Sequence, residues 1–117
     1  MTLYGLETLQ ARRGAIAQTK QHHSTLRDIY RGRADRETPA QTIARAVAVM
    51  GRDAVAQTVA EMVNSIGAWD GRIYPAVRTW AWGFPGAMSS DECNDHRIYT
   101  DIHSCHVNQL AQECMKL

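Results

Sequence analysis

No apolar run in this chain approaches the ~20 residues that a membrane-spanning helix requires, so no membrane partner is expected. Bulky aromatics are scarce: one Phe, three Trp and four Tyr, within a 44% hydrophobic content that leans on small alanines. With so little bulk elsewhere, the aromatic residues are expected to fill much of the core. Cysteine is limited to Cys93, Cys105 and Cys114. An odd count argues against a disulfide framework. The opening MTLYGLETLQARRG also lacks the charged start and apolar stretch of a secretory signal, so reduced thiols and a cytoplasmic location are expected. Charge of one sign is missing as well. Thirteen basic residues against twelve acidic ones give +1, too balanced for a DNA mimic or a non-specific DNA binder. Finally, there is no CxxC, no HExxH, and no glycine loop of the Walker or dinucleotide type. Neither an enzyme nor a cofactor is therefore expected.

What is present is arginine, at eleven of the thirteen basic positions. Its planar fork suits carboxylate, phosphate and interface contacts better than the point charge of lysine. Residues 1–36 hold seven basic residues against three acidic ones. Within them Arg27, Arg31, Arg33 and Arg36 surround Tyr30, a cluster able to contact phosphates, stack a base or meet an acidic protein surface. Asp28, Asp35 and Glu37 are interleaved and can pair with these arginines at helical spacing.

The periodicity predicts an all-α chain of 117 residues forming one domain. Residues 1–36 read as a long polar helix in which Leu9, Ile16, His23 and Tyr30 recur every seven residues. That narrow stripe suits either packing within the domain or a homodimer seam through the N-terminal helix. Residues 38–66 read as an αα-hairpin. Thr38 is placed as N-cap, Pro39 at the first helical position and Gln41 as the reciprocal capping residue. Ile43, Val47 and Met50 form the buried face of the first arm, which stops at Gly51. Val55, Val59, Met62, Val63 and Ile66 form that of the second, which stops at Gly67.

Residues 69–117 hold a tryptophan segment, a loop and a closing helix. Asp70-Gly71 predicts a turn, and Pro75 opens a short helix, PAVRTWAW. Val77 and Trp80 share one face, with one or two tryptophans closing the open side of the hairpin. Trp82 points elsewhere, and Trp82 and Phe84 are the aromatics expected to be exposed for recognition. GFPGAMSSDECND reads as a surface loop, with Asp91, Glu92 and Asp95 solvated. The last helix, from Ile102 or Ser104 to Met115, buries Val107, Leu110, Ala111, Cys114 and Leu117. Cys93, His96, His103 and His106 have short spacings that can grip zinc. Cys105 lies between two histidines, yet neighbours along a helix point apart and are not expected to form a dyad.

From residue 52 onward the order of features resembles a domain group of phages and conjugative elements of gut bacteria, often appended to large polyvalent mobile-element proteins. The resemblance is carried by AVAQTVAEMVN, WDGRIYPAVRTWAW and IYTDIHSCHVNQLAQE. At its positions stand Asp70, Gly71, Arg72, Trp80, His103 or His106, and Asn108 to Leu110. Where that group favours a His-Pro-Gly opening of the last helix, this chain has His-Ser-Cys-His. The resemblance implies an anti-defence role. The expected function is stoichiometric inhibition of a CRISPR–Cas nuclease, of type II, by protein contact. The partner would be the nuclease or its nucleic-acid complex, bound through Arg27, Tyr30, Arg31, Arg33, Arg36, Trp82 and Phe84. The alternatives are a regulatory nucleic-acid-binding accessory protein and a zinc-stabilised module.

Overall fold

A computed structural model describes residues 3–33 and 35–117, with side chains from residue 11 onward. Among the described residues there are six helices and no strand: α1 (Leu3–Arg33), α2 (Pro39–Met50), α3 (Arg52–Gly67), α4 (Pro75–Trp82), α5 (Ser90–Asp95) and α6 (Ser104–Cys114).

The start of α2 follows from local chemistry. The Thr38 hydroxyl accepts from the Gln41 N–H at 3.2 Å, and the Gln41 side chain accepts from the Thr38 N–H at 2.9 Å. Two donors that a helix end leaves open are thereby satisfied. Gly51 both ends α2 and precedes the first residue of α3, at φ 88° and ψ 154°. That region is closed to residues with a Cβ, so a glycine is required at the joint.

The centre of the fold is α3, which packs against all five other helices. Val55, Val59, Met62, Val63 and Ile66 are all buried there, as their spacing predicts. On α2 the buried face is turned slightly from the predicted one: Thr42, Ile43 and Ala46 are buried, while Val47 and Met50 are half-buried. Val107, Leu110, Ala111 and Cys114 bring α6 into the same core, whereas Leu117 is exposed.

Only part of the predicted seven-residue stripe on α1 lies among the described side chains. Leu9 falls outside them, and Ile16 is half-buried. His23 and Tyr30 turn inward, joined by Thr19 and Leu26, at spacings of four, three and four residues. This half of the stripe is held within the domain and is not a free seam for a second copy.

Aromatic residues do not supply the bulk. The core is aliphatic, and of the tryptophans only Trp80 packs against it, partly buried and edge-on to Phe84. Trp82 is exposed as expected, but Phe84 is half-buried beside Trp80, and Trp69 faces solvent. The small residues Ala46, Ala60, Ala81 and Ala111 let the helices approach closely enough that no large ring is needed to close them.

The predicted loop over 83–95 contains a helix. Ser89 accepts from the Glu92 N–H, and Glu92 returns the bond to the Ser89 N–H, a second capping box that starts α5. At its other end the Arg97 N–H donates to the Asn94 carbonyl at 3.1 Å and the Ile98 N–H to the Cys93 carbonyl at 2.8 Å. This is a Schellman closure, and it places Arg97 at φ 56°, where glycine is the usual residue.

Candidate functional site

The sequence-predicted site residues do not form one patch. Tyr30 lies in the seam of α1, α2 and α6, where its hydroxyl bonds the His106 Nδ1. It is half-buried, and burial raises its pKa, so it is a packing contact, not an open stacking platform. Arg33 and Arg36 are exposed near the α1–α2 connection, where the Arg33 carbonyl accepts from the Arg36 and Glu37 N–H groups. Glu37 is held by Arg45, whose Nε lies 2.9 Å from Oε2. That bond keeps the Glu37 carboxyl below its usual range.

Arg27 and Arg31 point to the other side of α1. Arg31 pairs with Asp101, tying α1 to the segment before α6. Arg27 is half-buried and donates to Ser24 at 3.3 Å. Arg27, and Asp101 to which Arg31 is paired, line a cleft of about 210 Å³ between α1 and residues 97–101, together with Lys20, His23, Ser24, Arg97 and Tyr99 among others. Arg97 and Tyr99 carried no signal in the sequence, because the long connection after α5 is what brings them to Lys20 and its neighbours on α1.

Tyr99 and Thr100 also line a second cleft, shared with Trp69 and Ser90. Ser90 in turn borders a third, lined by Arg78, Asn64 and Trp82. Neighbouring clefts thus share lining residues, Tyr99 and Thr100 between the first two and Ser90 between the last two, and the exposed Trp69 and Trp82 lie in the second and third.

Beneath the first cleft sits the most buried charged group among the described residues. Glu61 is 1% exposed and accepts from the Met88 N–H at 3.0 Å and the Gln57 amide at 3.3 Å, with His23 Nε2 at 3.0 Å. A carboxylate so placed is viable only because each of these donors replaces lost water.

The Asp-Gly-Arg turn is a structural clasp. Asp70 is buried, and its Oδ1 accepts from the Arg72 N–H at 2.9 Å and from Nε at 3.0 Å, while Oδ2 accepts from Nη2 at 3.0 Å. These Arg72 bonds hold the carboxyl well below the ordinary carboxylate range. A depressed pKa adds stability above the ordinary Asp value, and that stability is lost as pH falls below it. Urea midpoints of the wild type should therefore drop between about pH 4 and about pH 2. Asp70→Asn should be less stable at neutral pH and flatter across that window; an unchanged slope would exclude Asp70 as the cause.

Asn108 completes the same region. Its side-chain oxygen accepts from the Tyr74 N–H, and its amide donates to the Arg72 carbonyl, each at 3.0 Å. The polar residue set among the apolar positions of α6 thus pins the turn before α4.

The cysteine and histidine residues are scattered. Cys93 and Cys114 are buried, and burial pushes each thiol up to about 12. Among the described residues no three His, Cys, Asp or Glu side chains converge to hold a metal ion. One pair differs from expectation: His103 Nδ1 lies 3.1 Å from Cys105 Sγ and accepts from the Cys105 N–H at 3.2 Å. The two side chains meet because His103 is the N-cap of α6, with non-helical φ and ψ, and not part of its spiral.

Compared with known protein families, curated proteins and solved structures, the chain matches none.

Proposed function

We propose that this protein works by stoichiometric binding to a partner protein. The observation that carries the reading is the position of two tryptophans. Trp69 is 75% and Trp82 84% exposed, and they border neighbouring clefts that meet at Ser90. Large exposed rings are unfavourable in water and are the residues that most often anchor protein interfaces. Leaving them outside, in a chain with few aromatics, fits a recognition surface. Tyr99 extends the same face toward the cations of α1, which suits a partner with an acidic rim.

The partner we propose is a CRISPR–Cas nuclease of type II. Its identity rests on the resemblance to mobile-element domains, and the aromatic face supports only that the partner is a protein. The test is DNA cleavage by a purified type II nuclease loaded with guide RNA and titrated with this protein. Inhibition should saturate near one equivalent. The double variant Trp69→Ala/Trp82→Ala should weaken it at least about tenfold, with the melting temperature unchanged. No inhibition by the wild type would remove this target, and equal inhibition by the double variant would remove this face. Affinity for nucleic acid alone that falls steeply with salt would favour the nucleic-acid-binding accessory reading instead.

A further inference from the structure

We propose that Cys105 and His103 form a thiol–base pair that exchanges with small-molecule disulfides, which makes Cys105 the site of reversible S-thiolation in this chain. The inference is independent of the aromatic face and of the nature of the protein partner.

The geometry is that of a nucleophile beside its base. Cys105 Sγ lies 3.1 Å from His103 Nδ1, and the cysteine is exposed to solvent. The same nitrogen accepts the Cys105 N–H at 3.2 Å, so Nδ1 carries the lone pair of a neutral ring whose proton sits on Nε2. The thiol hydrogen thus has a base within reach. That base is held in place by the backbone of the residue it serves. The two side chains can meet because His103 caps α6 from outside its spiral.

Two further features favour negative charge on the sulfur. Cys105 is the second residue of α6, a helix of 11 residues, and so sits at the positive end of the helix dipole. Arg72 approaches from the turn before α4. Its charge is stabilised chiefly by Asp70, and a thiolate at Cys105 adds to that. The neighbouring polar groups are already engaged: Asp70 by Arg72, and His106 Nδ1 by the Tyr30 hydroxyl. Tyr30 is kept protonated first by its burial and further by negative charge at Cys105. The other two thiols make the site selective. Cys93 and Cys114 are buried, and burial pushes both up to about 12.

In the exchange, Sγ gives its proton to His103 Nδ1 and attacks one sulfur of a disulfide RSSR. The new S–S bond forms as the old one breaks, and the departing thiolate takes the proton from His103 and leaves as RSH. The protein thiol and RSSR become a mixed disulfide and one free thiol, and excess RSH reverses the reaction.

The test is incubation of the intact protein with oxidised glutathione, followed over time by intact-mass spectrometry. A single adduct is expected, located at Cys105 and absent from Cys105→Ser. His103→Asn keeps a favoured capping side chain but has no base, so at pH 7 its adduct should form at least about tenfold more slowly, with the melting temperature little changed. Near about pH 10, where a thiol ionises unaided, the rates of variant and wild type should converge. A merely structural histidine would leave their ratio the same at both pH values. Equal rates at pH 7, an unchanged ratio at high pH, no adduct at all, or adducts at Cys93 or Cys114 formed as fast as at Cys105 would each overturn the assignment.

Discussion

Replacing Glu61 with alanine is expected to destabilise the fold by about 3–5 kcal/mol. The carboxylate receives the Met88 N–H and the Gln57 amide and faces His23 Nε2, so its removal strands three polar groups in one place. Each stranded buried donor costs about 1–3 kcal/mol, and the emptied volume adds to that. A domain of this size has only about 5–15 kcal/mol in all, so a large share of its stability is at stake. Glu61→Gln keeps the volume and one carbonyl, but it turns an amide NH₂ toward a neighbouring donor, and it should cost roughly half as much. Urea denaturation of both variants checks the ordering. A loss below about 1 kcal/mol for Glu61→Ala would show that water replaces the carboxylate, and that the pair does not hold α1 to α3.

Leu26→Ala is expected to cost about 2–5 kcal/mol. Leu26 is fully buried, the one apolar side chain among those described on α1 that is wholly enclosed. Its neighbours in the same stripe are polar or partly exposed: Thr19, His23, Ile29 and Tyr30. The attachment of α1 therefore depends on a single aliphatic anchor set among hydrogen bonds. The loss should appear locally. Amide exchange along residues 19–30 should quicken well before α3 and α6 lose protection, because among the described side chains α1 adds only Leu26 to the fully buried core that those helices share. Uniform loss of protection across all helices would show instead that α1 is integral to one cooperative unit.

These two residues also mark where the sequence could be read and where it could not. The caps at Thr38 and Pro39, the stops at Gly51 and Gly67, and the apolar stripe of α3 are local signals, and each element formed where its signal lay. Leu26 was visible as an apolar residue beside a heptad stripe. Glu61 was not visible as a buried group, because its donors come from positions 23, 57 and 88 and no local pattern announces that meeting. The same is true of Arg97 and Tyr99, which lie in the connection between α5 and α6 and meet Lys20 of α1 only in the fold. The α5 helix differs: Ser89 and Glu92 carry a capping signal, obscured by the glycine and proline just before it and by the shortness of the helix itself. Trp80 packs on the core beside Val77 and Trp82 is exposed, as their spacing predicts, but the expected share of aromatic bulk in the core is not there, for a physical reason. Their size suggests that they belong inside, but alanine at the helix contacts leaves no space for them.

Gly51 bears on the order of events when the chain is made. It joins α2 to α3 without a loop, so that hairpin forms from contacts close in sequence and loses little entropy on closing. Helix α1, made before α2 and α3, has no such advantage. His23 meets Glu61 across 38 positions, and until α3 has left the ribosome the inward stripe of α1 has nothing to lie against. Assembly is therefore expected to run outward from α2 and α3, with the docking of α1 among the last steps.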